Sequence, residues 1–353
     1  MFVSLDANGA RCTLTSHAQA TDLRRSGAQF FCPACHGEVI IRNGTQIPAH
    51  FAHRSNACTA SEPESGEHLQ GKLLLAEMGR SSGWNAELEV YVPEIKQRID
   101  VLLTRGDKRV ALEFQCSPIA VPLLAARTAG YRHINLPVRW ILGHRYNRLG
   151  AALKFAVQDD AGHLCTEHLD VQRKELRLRV DLHSNFCAEQ VSWPVPTQLK
   201  VTGQMPDLVK SANSVTAALH YRSPKIVRLQ NACYARGLNL AGCPWVVHAH
   251  CLELAGLALP EWALRVYWLL QFTGRPISAH ANAQFWAQAV QKRKMPLIDW
   301  SAYVARITPM FCSELEKSGF LIAECGGWQW CKPPVWYPDI DHKLAALTTT
   351  HGI

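Results

Sequence analysis

Residues 98–115 read RIDVLLTRGDKRVALEFQ. Two apolar runs, Ile99–Leu103 and Val110–Phe114, flank the polar segment Arg105-Gly106-Asp107-Lys108, and this pattern predicts a β-hairpin. Pairing of the two strands brings Asp100 near Glu113. Alternate residues of a strand share a face, so Glu113 and Gln115 project to one side, from which Asp100 can reach a common ion. Hard divalent ions such as Mg2+ or Mn2+ take oxygen donors, keep several waters and use phosphate oxygens to complete their shell. An ion held there would acidify a bound water and neutralise charge at phosphorus, the two services that phosphodiester hydrolysis needs. The same acids also fit a plainer role as cross-strand partners of Arg98 or Arg109 on an exposed sheet, and spacing alone leaves both readings open.

Outward from the hairpin, SEPESGEHLQGKLLLAEM (61–78) predicts a helix, AELEVYV (86–92) and VRWILG (138–143) predict strands, and LLAARTAGY (123–131) predicts a second helix. Together they make one α/β unit over 61–150. Glu64, His68 and Lys72 recur at i, i+4 and i+8, along one face of the first helix. Ser61 with Glu64 also forms a capping box and Pro63 suits a first helical turn, so Glu64 has both a capping and a catalytic reading.

The first sixty residues hold too little apolar material to fold unaided, and they end in FFCPACHGEVIIRNGTQIPAHFAHRSNAC (30–58). Cys32 and Cys35 have the spacing of a knuckle in which one tight turn presents two thiolates to a tetrahedral ion. His53 and Cys58 complete a structural Zn2+ site, with His50 as the alternative third ligand. A redox pair is the weaker reading, because Cys-x-x-Cys of that kind opens a helix, whereas EVIIR reads as a strand.

The chain has 353 residues, 48% of them hydrophobic and 19% charged, a globular composition long enough for two or three domains. No apolar run approaches the roughly 20 residues of a membrane helix. The N-terminal MFVSLDANGA lacks the basic and apolar regions of a signal peptide, so a cytoplasmic location away from membranes is expected. The 13 cysteines, an odd number spread along the chain, are expected to be mostly reduced. A formal charge of +8 favours polyanionic partners without proving one.

Beyond 150 the pattern weakens. VQRKELRLRV and the proline-studded SWPVPTQ suggest a linker or small domain over 151–257. Residues 258–353 read as mainly helical and tryptophan-rich, closing with a hairpin at Gly326-Gly327. A helix at about 308–318 before that hairpin is the order of a winged helix, with Lys292, Arg293 and Lys294 ending the preceding helix. Glu314 and Glu316 on the would-be recognition helix argue against ordinary major-groove binding, and Trp262, Trp268, Trp286 and Trp300 read more readily as core than as a stacking surface.

FFCPACHGEVIIRNG with HFAH at 50–53, ESGEHLQGK at 64–72, RIDVLL, ALEFQCSPI at 111–119 and the pair Arg127-x-x-x-Tyr131, in that order, resemble the competence protein CoiA-like family; LNLAGCPWVVHAH (238–250) resembles its downstream region more weakly. The nuclease-like domain of that family belongs to the PD-(D/E)XK superfamily. The resemblance implies a restriction-endonuclease-like core of order α-β-β-β-α-β, with metal ligation by Asp100, Glu113 and the carbonyl of Phe114 and contributions from Glu64 and His68. Gln115 stands where the superfamily has a lysine. Its amide can orient a water but cannot act as a base. Lys72, Arg127 and Tyr131 are expected to reach DNA, ordinary helix packing being the alternative for Arg127 and Tyr131.

The first functional expectation is therefore a metal-dependent DNA nuclease acting in DNA uptake and recombination, repair or defence. The second is a non-catalytic DNA-processing factor that keeps the fold and serves transformation, for example by loading a recombinase. An acid turned away from the shared pocket, or neutralised by a permanent guanidinium partner, would overturn the first and leave a zinc-stabilised binder.

Overall fold

In a computed structural model, residues 1–54, 65–183, 186–203, 207–248 and 254–350 are described. The chain forms two compact units. One comprises Met1–Ala156, Cys165–Val180 and Ala188–Lys200; the other comprises Val157–Leu164, Asp181–Cys187 and Val201–Ile353.

The first unit opens with strands β1 (Val3–Asp6) and β2 (Arg11–Thr13), helix α1 (His17–Arg25), and strands β3 (Phe30–Phe31), β4 (Glu38–Arg42) and β5 (His50–His53), joined in the order β2-β1-β3-β4-β5. Its small core contains Met1, Leu14, Phe30, Val39 and Phe51. The scarcity of apolar side chains is offset by a tie to the larger sheet: Phe2 and Val3 enter the next core, and their N–H groups donate to Glu89 at 2.7 and 3.1 Å.

Then come α2 (Gly66–Ser81), β6 (Asn85–Val92), β7 (Gln97–Arg105), β8 (Lys108–Gln115), α3 (Val121–His133) and β9 (Val138–Leu142), the α-β-β-β-α-β order expected. Strands β6, β7 and β8 are antiparallel and β9 runs parallel to β8. Helix α2 packs through Leu69 and Leu75 on a core with Val101, Leu112 and Phe114, while Tyr131 of α3 packs with Ile99, Leu102 and Ala111. Strand β7 is thus covered on both faces, which explains its unbroken apolar run.

The sheet does not end at residue 150. After the single turn α4 (Leu149–Ala152) and β10 (Val157–Gln158), strand β11 (Leu164–Asp170) pairs parallel to β9, and β12 (Glu175–Val180), β13 (Phe186–Trp193) and β14 (Lys200–Gly203) extend the order to β14-β13-β12-β11-β9-β8-β7-β6. The stretch expected to hold a linker or small domain therefore contributes strands to the central sheet.

The second unit carries α5 (Leu208–His220), α6 (Pro224–Tyr234), α7 (Glu261–Phe272), β15 (Ile277–Ser278), α8 (Ala279–Ala289), α9 (Trp300–Ile307), α10 (Met310–Lys317), β16 (Leu321–Glu324), β17 (Gly327–Trp330) and α11 (Ile340–Thr350). Its three strands pair in the order β15-β17-β16. Two details differ from expectation. Lys292–Lys294 form a separate 3-10 turn after α8, and Glu314 is engaged by the buried Arg265 at 2.6 Å, so it braces the core of the unit. Trp262, Trp268 and Trp286 are buried. Among the described residues no helix is long and apolar enough to cross a membrane, and no disulfide joins two described cysteines.

Candidate functional site

Helix α2 starts at Gly66, with the Ser65 hydroxyl accepting the His68 N–H at 3.1 Å. The expected start after Ser61 is thus corrected to Ser65, and the capping pair Ser61 and Glu64 lies outside the described residues. The cap points the first turn at the ends of β7 and β8, where His68 Nε2 lies 3.1 Å from Asp100 Oδ2.

The β7–β8 register pairs Val101 with Leu112, and one step further the strands part around Asp100 and Glu113. Asp100 fills the gap, its Oδ2 accepting the Phe114 N–H at 2.9 Å. Burial, the largest influence, would raise its pKa, but the His68 imidazole, the Lys72 charge and the Phe114 N–H together outweigh it, and the carboxyl is held at about 2. Glu113 has the opposite tendency. Burial, reinforced by the Asp100 charge, raises it to about 7 despite the Arg127 guanidinium 2.5 Å from Oε2 and the Tyr131 hydroxyl donating to Oε1. Two neighbouring carboxyls with diverging proton affinities are a recognisable property of functional sites.

Three expectations about DNA contacts are revised here. Lys72 is wholly buried and bonded to Glu89, because α2 turns that face onto β6 rather than toward solvent. Tyr131 is also wholly buried, facing Glu113 from α3. Neither can touch a DNA backbone in this conformation. Arg127 is spent on Glu113 but keeps 25% side-chain exposure, with its guanidinium over the Trp140 ring at 5.1 Å. Gln115 turns its amide to Ser117, 2.8 Å from the carbonyl and 3.0 Å from the hydroxyl.

The residues fit a hard divalent ion in donor type. No hydrogen bond among the described residues reaches Asp100 Oδ1. Each Glu113 oxygen has one acceptor site left after its single donor. Alternation sends the Phe114 backbone toward β7, since the Gln115 carbonyl next to it is taken by the Gly143 N–H at 3.0 Å. The fit is limited by number: the acids do not form a group of three converging side-chain donors among the described residues, where the group that does is Cys32, Cys35 and His53.

That group has the geometry of a metal-binding knuckle. Cys35 Sγ lies 3.4 Å from His53 Nε2, and the N–H groups of Ala34 and Gly37 point at Cys32 and Cys35 sulfur, each at 3.4 Å. Burial, then Arg98 and the N-terminal amine, lower the pKa of His53 and favour the neutral ring that ligates metal. Four converging soft donors suit Zn2+; three are present and Cys58 lies outside the described residues. His50, the alternative ligand, is outside the group and has Nδ1 2.8 Å from the Pro48 carbonyl.

Sequence reading missed Glu89, Glu67 and His144. Glu89 sits across β6 from Asp100 with φ of 52°. No sequence signal marked it, because the burial of Lys72, which calls for a carboxylate, depends on which face of α2 meets the sheet.

A mixed sheet with helices on both faces, an acid pair where its strands part and a Cys/His module in front define an α/β nuclease-like protein. Residues 12–61 match the family described as Competence protein CoiA, N-terminal domain, and residues 64–171 match Competence protein CoiA, nuclease-like domain. Competence protein CoiA of Bacillus subtilis (strain 168) is 38% identical over 123 residues, 34% of this chain and 32% of that protein. Residues 12–61 and 64–171 thus carry the two domains of the competence protein CoiA family. The match spans about a third of the curated relative.

Proposed function

We propose that the nuclease-like domain is a PD-(D/E)XK-type, divalent-ion-dependent deoxyribonuclease serving DNA uptake and recombination. The observation that carries this reading is the buried pair Asp100 and Glu113, one held ionised and the other left short of full charge compensation even with Arg127 beside it. A fold has no structural need for two such acids side by side, and a divalent ion would relieve both. Asp100, Glu113 and the Phe114 carbonyl would hold Mg2+ or Mn2+, which would supply Lewis acidity and an acidified water. His68 orients Asp100. Arg127, partly exposed, is the cation able to exchange Glu113 for a phosphate oxygen. The Cys/His module, with Zn2+, shapes the surface that receives DNA.

A second reading, a DNA-processing factor that binds without cutting and works with a recombinase, is favoured by the engagement of both Glu113 oxygens and by Gln115 in place of lysine. A plasmid assay with Mg2+ or Mn2+, run beside gel-shift binding, separates the two. Nicking or linearisation supports the nuclease, whereas binding of DNA with no cut under either ion supports the factor.

A further inference from the structure

On the same α2 turn as His68, Glu67 turns toward the end of β9 and grips His144 at two points. Its Oε1 accepts the His144 N–H at 2.9 Å, and its Oε2 lies 2.8 Å from His144 Nδ1. The first bond would anchor the chain by itself. The second fixes the ring, with Nδ1–H donating to the carboxylate and Nε2 directed away from it. The His144 side chain is nevertheless 81% exposed, so the arrangement buries almost nothing and presents a held imidazole to solvent.

The location is close to the acid pair. Gly143, just before His144, donates to the carbonyl of Gln115, two residues from Glu113. A Cβ on Gly143 would lie 2.7 Å from Glu67 Oε1 and 2.9 Å from Cys116 Sγ, so the dyad fits only because glycine is there. Arg145 and Arg148, both exposed, follow in the same segment and suit a polyanion. Lys72, expected to reach DNA, and Gln115, expected to orient a water, are committed to Glu89 and Ser117.

We propose that His144, oriented by Glu67, is the proton donor to the departing oxygen of the cleaved phosphodiester; this rests on the nuclease reading above. Water oxygen bonds to phosphorus and loses one proton to solvent. The bond from phosphorus to the leaving oxygen breaks, and that oxygen takes the Nε2 proton of the His144 imidazolium. The ring is left neutral, with Nδ1–H still on Glu67, and is reprotonated from solvent. His144 is the catalytic residue of the pair and Glu67 a positioning residue.

The test is single-turnover cleavage, by the full chain with Mn2+, of oligonucleotides carrying either ordinary linkages or one bridging sulfur in place of the 3′ or 5′ leaving oxygen. Thiolate departs without a proton. The expected result is that His144→Gln slows the oxygen substrate by about 10²-fold or more and cuts the sulfur substrate near the wild-type rate. Glu67→Gln should lose less and show the same rescue. Equal losses on both substrates, or no loss on either, would overturn the role of His144 while leaving the nuclease standing. Failure of the wild-type protein to cut either substrate would overturn both. His144 is exposed, so its variant should keep the wild-type melting temperature.

Discussion

A buried ammonium resting on one carboxylate is a point where a single atom change is costly. Lys72→Met removes the cation from the buried Glu89 carboxylate and should lower unfolding free energy by about 3–5 kcal/mol, measured by urea denaturation; adding Glu89→Gln should recover part of the loss. His168 offers a second residue-scale test. Burial, with Arg179 and Arg177 nearby, lowers its pKa to about 3. The unfolded chain takes up a proton as pH falls through about 6.5 while the folded chain does not, so this contribution is present above that pH and is lost on acidification toward 3. His168→Gln should flatten the acid limb of stability by up to about 1.4 kcal/mol per pH unit between about pH 6 and 4; an unchanged slope would show that His168 is not the group responsible. That Asp100 and Glu113 come together was legible at this scale, because two carboxylates inside apolar strands are conspicuous. Which cations answer them was not. Lys72 and Arg127 have long side chains whose direction depends on the helix face that meets the sheet, and spacing along the helix does not specify that.

At the scale of elements, the approach of α2 to the sheet depends on glycine. A Cβ on Gly71 would fall 2.0 Å from a Phe114 ring carbon, and one on Gly79 would fall 2.4 Å from Leu103. Gly71→Ala should therefore push the helix outward, cost about 1–3 kcal/mol in thermal unfolding and weaken the contact of His68 with Asp100. A second element-scale prediction concerns the knuckle. Cys35→Ser should abolish bound zinc, read by elemental analysis, whereas Asp100→Asn should keep it; loss in both would mean the two sites are not separate. The hairpin over 98–115 was legible because its apolar runs and turn residues agree. The strands beyond 150 were not, because Arg177 and Arg179 of β12 pair across the sheet with Glu189 of β13. In a sequence such residues read as a solvated basic run, since Glu189, which pairs with both arginines, lies outside the run on the neighbouring strand.

For the whole molecule, the α-β-β-β-α-β order and the Cys/His module were readable from motifs in sequence. The extent of the sheet emerged only from pairing between distant segments. The central claim is that the acid pair makes this nuclease-like chain cut DNA. Its most direct test is the rate at which wild-type and Asp100→Asn proteins of equal zinc content cleave end-labelled duplex and single-stranded DNA in Mg2+ and in Mn2+. The account predicts cleavage of at least one form by the wild type and none by Asp100→Asn. No cleavage by the wild type with either ion, or an undiminished rate in Asp100→Asn, would contradict it.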